Sequence, residues 1–130
     1  MKKIFLSGAC RYVSQNESDS WRRWFSKHLD EFYEVFNPND SFSYTKNNPN
    51  DEKLVMDYFL YKLKESDIVV VNLNHSAHSV GTGCEVTTAK DLDKYIIGFG
   101  DVEVYEYLKS CCNAWFRTKE DAWEFIVNYL

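Results

Sequence analysis

The segment Ser79-Val80-Gly81-Thr82-Gly83-Cys84-Glu85 carries two glycines one residue apart, followed closely by a carboxylate. The glycines thin the backbone where a ligand would press against it. Glu85 falls in what reads as the first turn of a short helix beginning near Gly83, where free N–H groups and the helix dipole favour the ionised form. A carboxylate held there suits attack on the anomeric carbon of a sugar, because it traps an oxocarbenium-like centre as a covalent ester. The plain alternative is capping, since Glu is common in first turns for that reason alone.

A second loop, Ser7-Gly8-Ala9-Cys10-Arg11-Tyr12, follows a strand-like run. Gly8 would let backbone N–H groups approach a ligand, and Arg11 offers a planar charged fork for phosphate or carboxylate. The alternative is a strand-end glycine and a surface arginine. The loop matches neither GxxxxGK[ST] nor GxGxxG. Asp57 shares a helical wheel sector with Lys53 and Lys64. It reads either as a solvated ion pair or as a second carboxylate that donates a proton or holds sugar hydroxyls. His28, His75 and His78 have no metal-ligand spacing and read as surface residues. Cys10 or Cys84 as a nucleophile with a histidine base is weighed against their being small hydrophobes near buried strands. No metal and no cofactor is expected.

Elements of two periods position these residues. Lys3 to Gly8 reads as a buried strand, and Trp21, Trp24, Phe25 and Leu29 give helical spacing over about 18–31. Tyr33 to Phe36 reads as a second strand, closed by Asn37-Pro38-Asn39-Asp40 as a turn. A polar loop is expected to run to Asn50. From Asp51 to about Ser66 one apolar row (Leu54, Tyr58, Tyr61) and another (Val55, Phe59, Leu63) are wide enough for a helix packed on a sheet. Asp67 to Leu73 is an unbroken β-branched run of the kind covered on both faces. Lys94 to Phe99 reads as a strand, Val102 to Ser110 as a helix and Asn113 to Arg117 as an edge strand. A closing helix opens on Thr118 with Asp121 three residues later, in the manner of a capping box. The alternation implies one α/β domain over residues 1–130, with a parallel sheet of about five strands and right-handed crossovers. Ligands in such folds sit beyond the carboxyl ends of the strands, near the switch in strand order. Those are the loops after Leu6, Phe36, Leu73 and Phe99.

The chain has 130 residues, 45% hydrophobic, 27% charged and 17% aromatic, with formal charge −5 and only two Pro and five Gly. This is a globular composition with one core, not a disordered or fibrous one. No basic run exceeds Arg22-Arg23, which argues against nucleic acid polymers and anionic membranes as partners. The apolar runs are too short to cross a bilayer, and the first residues do not read as a signal peptide, so a cytoplasmic protein is expected. Cys10, Cys84, Cys111 and Cys112 lack zinc or disulfide spacing and are expected to be free thiols.

Together these residues resemble the nucleoside 2-deoxyribosyltransferase family and the related deoxynucleoside 5′-monophosphate N-glycosidases. The resemblance runs through Lys3 to Gly8, Glu34-Val35-Phe36-Asn37-Pro38, Asp57, the Leu63 to Val71 junction, and Ser79-x-Gly81-Thr82-Gly83-x-Glu85 with Ala89. It implies a flavodoxin-like, doubly wound α/β domain that cleaves or transfers at the N-glycosidic bond of a small nucleoside or nucleotide. On this likeness Glu85 matches the family nucleophile, and Asp57 an aspartate that assists the departing base or positions the sugar. Ser7, Gly8, Arg11, Asn37, Asn74, Ser79 and Gly81 fall at substrate-binding positions. Arg11 and Ser79 correspond to phosphate contacts, Ser79 across a subunit interface, which implies a homodimer or larger homo-oligomer. Ala9 stands where the monophosphate glycosidases carry a serine, and Asn74 where the transferases often have an aspartate. The transferases' carboxyl-terminal asparagine has no clear counterpart. A catalytically silent nucleotide-binding or signalling module is the alternative function. A flavin carrier would suit the fold but lacks a Ser/Thr-rich first loop.

Overall fold

A computed structural model describes residues 1–41 and 51–130. The expected polar loop before Asn50 lies mostly outside the described residues. The chain alternates strand and helix throughout: β1 (Lys2–Gly8), α1 (Gln15–Leu29), β2 (Tyr33–Phe36), α2 (Asp51–Glu65), β3 (Ile68–Asn72), α3 (Val80–Asp91), β4 (Tyr95–Phe99), α4 (Glu106–Ser110), β5 (Ala114–Phe116) and α5 (Lys119–Tyr129). The strands form one sheet in the order β2-β1-β3-β4-β5, and every pairing is parallel. That order is the flavodoxin-like, doubly wound one, and its switch point lies between β1 and β3. There Ser7 pairs with Val71 and Gly8 with Asn72.

The period of two along the strands divides the core between two faces. Ile4, Leu6, Ile68, Val70, Ile97 and Phe99 meet Trp21, Phe25 and Leu29 of α1 and Ala122 and Ile126 of α5. Phe5, Val69, Val71 and Ile96 meet Leu63 of α2, Val86 and Ala89 of α3 and Leu108 of α4. A sheet covered on both faces needs apolar residues at every position, which is why Ile68 to Val71 is an unbroken run. Ser7 shares the parity of Phe5, so it points toward α2 and α3.

Several boundaries differ from the sequence reading. The first helix starts at Gln15, three residues earlier than expected, because Ser14 accepts from the Glu17 N–H at 3.0 Å. The stretch 102–105 is not helical: Glu103 has φ 48°, and the Asp101 and Val102 N–H groups bond to Asn74 Oδ1, so only Glu106–Ser110 forms the helix. The third helix starts at Val80, with Ser79 as its cap, although two glycines in its first turns each cost about 1 kcal/mol relative to alanine. On α2 the two apolar rows are used unequally, and of the first only Tyr58 reaches the sheet, edge-on to Phe36. Leu63 is fully buried, while Leu54 is 60% and Tyr61 56% exposed, because a row offset by one residue turns about 100° away from the sheet. The closing helix begins as expected, with Thr118 Oγ1 accepting from the Asp121 N–H at 3.2 Å.

Candidate active site

Because α3 begins at Val80, Glu85 is its sixth residue and lies in its second turn. The expectation that first-turn N–H groups hold its charge is therefore corrected, and a different device takes their place. The Glu85 side chain reaches back to the end of β1, where Ser7 Oγ donates to Oε1 at 2.6 Å. Ser7, read from the sequence as a substrate-binding residue, is fully buried and its hydroxyl donates to Glu85. Desolvation raises the Glu85 pKa from 4.5 to about 7, against the opposing pull of the Ser7 hydrogen bond and the positive charge of Arg22.

Arg22 is the residue that sequence reasoning passed over. It is 1% exposed, with its guanidinium donating to the Gly8 carbonyl at 2.8 Å and to Ser18 Oγ at 3.0 Å and the Ser18 carbonyl. Its Nε has no partner among the described residues. The guanidinium also lies 4.6 Å from the centre of the Trp21 ring. Burial lowers the Arg22 pKa, and Cys10, Glu85 and Asp19 counter that effect. The available signal was its place on the helix. Four residues after Ser18 and three before Phe25, it falls on the buried stripe of α1, where a charge calls for a reason.

Gly8 ends β1 and is buried. A Cβ there would lie 2.7 Å from Trp21 Cζ2, so the glycine is required for indole packing, and its contribution to the site is the carbonyl that holds Arg22. Ser79 caps α3, with its Oγ accepting from the Thr82 N–H at 3.3 Å and 2.6 Å from Thr82 Oγ1. Around Gly81 and Gly83 nothing among the described residues lies within 4 Å of a would-be Cβ, so these residues leave the start of α3 open there. Asn37 is buried at the end of β2. Its Oδ1 accepts from the Asn39 N–H at 3.0 Å, while its Nδ2 has no partner among the described residues.

The remaining sequence candidates are held apart by contacts of their own. Arg11 pairs with Glu52 at 2.9 Å, both exposed. Asp57 is exposed on α2 and pairs with Lys53, and none of its described contacts reaches Glu85. The Oδ1 of Asn74, which stands where the transferases often have an aspartate, is committed to the Asp101 and Val102 N–H groups, both at 2.9 Å. His75, read as an ordinary surface histidine, is a fastener: Nε2 lies 2.9 Å from Glu17 and Nδ1 3.5 Å from Glu103. The four cysteines are free, and Cys10 and Cys84 are exposed, not the small core hydrophobes expected. Neither is hydrogen-bonded to a histidine among the described residues. Burial beside Cys111 pushes the Cys112 thiol up to about 12, which keeps it protonated and inert. No cluster of metal-binding side chains and no helix long and apolar enough to cross a membrane occurs among the described residues.

The fold and this site together define a flavodoxin-like domain with a half-buried carboxyl at its switch point. A conserved protein from Enterococcus faecalis V583 superposes with a TM-score of 0.83 at 14% identity, over 100% of this chain and 99% of that one. A 2-deoxyribosyltransferase from Bacillus psychrosaccharolyticus superposes with a TM-score of 0.76 at 17% identity, covering 98% and 92% of the two chains. A 2-desoxiribosyltransferase from Leishmania mexicana does so at 0.66 and 15%, with both chains fully covered. No family model and no curated protein matches the sequence. The chain thus shares its fold, end to end, with two 2-deoxyribosyltransferases.

Proposed function

We propose that this protein belongs with the nucleoside 2-deoxyribosyltransferases and acts at the N-glycosidic bond of a nucleoside, deoxynucleoside or 5′-monophosphate, with Glu85 as nucleophile. The observation that carries this reading is the Glu85 carboxyl itself, half-buried, hydrogen-bonded by Ser7 and close to neutrality in pKa at the β1/β3 switch point. A free oxygen of the carboxylate forms a bond to C1′ as the C1′–N bond breaks. The bonding pair leaves with the base, which takes up a proton, and a glycosyl ester remains on Glu85. Water or the nitrogen of a second base then attacks C1′ and expels the carboxylate, giving hydrolysis or transfer. No metal or cofactor enters either step.

Ser79, Gly81 and Arg11 at the α3 and β1 rims are the groups proposed to meet the substrate's sugar and any 5′-phosphate. Arg11 must first exchange Glu52 for it. Asn37 and Asn74 belong to the same reading as base-side contacts. Asn74 serves through its amide nitrogen, since its oxygen is taken by the backbone. Asp57 takes part only by releasing Lys53. A homo-oligomer is part of the proposal, and sedimentation tests it. The deciding experiment incubates the protein with a panel of nucleosides and 5′-monophosphates, with and without a second base, and reads free base and exchanged nucleoside by chromatography. Release that disappears in Glu85→Ala supports the proposal. Binding without release across the panel replaces it with a silent binding module.

A further inference from the structure

The end of β1 is held from both faces of the sheet at consecutive residues. From one face Ser7 Oγ donates to Glu85 Oε1 at 2.6 Å, and from the other Arg22 donates to the Gly8 carbonyl at 2.8 Å. Arg22 is fixed by three acceptors, those of Gly8 and Ser18, so its charge cannot swing away to solvent. Continuing from the glycosyl-transfer reading, on which this inference rests, we propose that Arg22 and Ser7 are positioning residues for Glu85. Arg22 supplies the buried positive charge that lets the carboxyl ionise, and Ser7 holds Oε1 so that Oε2 is the oxygen that attacks.

The physics is that of a charge partly stripped of water. An isolated carboxylate in such a place stays protonated and cannot attack, unless an opposite charge or a donor compensates its lost hydration. Burial wins here by raising the pKa to about 7, with Ser7 and Arg22 limiting that rise. Among the described residues, Cys10 and Asp19 act on Arg22, and Arg22 with the Ser7 hydroxyl acts on Glu85. The same two donors would stabilise the carboxylate as the ester breaks, so their effect spans both halves of the reaction.

The test is titration of the Glu85 carboxyl by carbon-13 NMR in the full chain with labelled glutamate, the resonance assigned by its loss in Glu85→Gln. The expected wild-type midpoint is about 7. Arg22→Gln, which keeps donors but not charge, should move it up by about one unit, and Arg22→Lys should restore it toward the wild type. Ser7→Ala should also move it up. In assays of base release, the acidic limb of Arg22→Gln should move with the midpoint, so that activity lost about fivefold at pH 7 returns by pH 9, a recovery that a merely misfolded site would not show. A midpoint unchanged in Arg22→Gln overturns the role of Arg22. If that variant fails to fold, Arg22→Lys is titrated instead, and a midpoint displaced by more than one unit despite the retained charge overturns it. Unchanged kcat in Ser7→Ala overturns the selection of Oε2. Midpoints that move as stated in a protein releasing no base leave the charge pairing standing and remove the enzymatic reading. Unmoved midpoints in an active enzyme remove this inference alone.

Discussion

Two carboxylates were singled out from the sequence, and the structure treats them in opposite ways. Asp57, in the middle of α2, is exposed and tied to Lys53 one turn away, a pairing that water and salt make weak. Glu85, in the second turn of α3, leans inward onto Ser7 and sits where the Arg22 charge reaches it. The functional group is nearly the same, and the environment sets its chemistry. A carboxyl in water has nothing to gain by reacting, whereas one deprived of water and near pKa 7 exchanges proton and charge at physiological pH.

The comparison breaks most visibly if both positions matter equally to turnover. Glu85→Ala should reduce base release by about a thousandfold or more, as loss of a nucleophile does, read by chromatography on the substrate panel. Asp57→Ala losing as much would mean that the two sites act as one.

The next largest effect is on pH. With a folded pKa of about 7 against 4.5 for the free side chain, the folded state holds the Glu85 proton more tightly than the unfolded one. Stability is therefore full below about pH 4.5, falls as pH rises through about 7, and loses on the order of 3 kcal/mol in all. Glu85→Gln should recover about 2–3 kcal/mol at pH 8 and nothing at pH 4, measured by urea unfolding at the two pH values. Base release should show the opposite slope, rising with pH through about 7 as the carboxylate forms. A flat profile across pH 5–8 would detach the ionisation of Glu85 from catalysis.

The smallest effect concerns Asp57 itself. Asp57→Asn should change unfolding free energy by about 0.3–0.5 kcal/mol, and that difference should vanish in high salt. A change of 2 kcal/mol or more would show that the exposed pair is worth far more than its setting predicts.

Much of the fold was legible. The unbroken run at Ile68 to Val71, the helical spacing of Trp21, Phe25 and Leu29 and the capping pattern at Thr118 depend on neighbours a few residues away, which a linear reading sees. The local errors also have local causes. Ser14-x-x-Glu17 is a capping signal that was available and passed over, and the helix was read as starting near Gly83, with Gly81 in the loop, because propensity disfavours glycine in a helix. Packing of Val86 and Ala89 against the sheet outweighs that bias.

For the site, the sequence alone determined that Glu85 follows a central strand, beyond its carboxyl end, because loop position follows from the alternation of periods, whereas the strand order that makes this a switch point came with the fold. It also determined that Asp57 lies on a helix beside a lysine. Only the tertiary structure decided that Ser7 serves Glu85, that Gly8 makes room for Trp21, that Asn74 is committed to the 101–102 backbone, and that Arg22 is buried. Each of those facts joins residues far apart in the chain, 78 positions between Ser7 and Glu85 and 14 between Gly8 and Arg22. Desolvation, the largest influence on the Glu85 pKa, depends on everything packed around the group, which no spacing along the chain encodes.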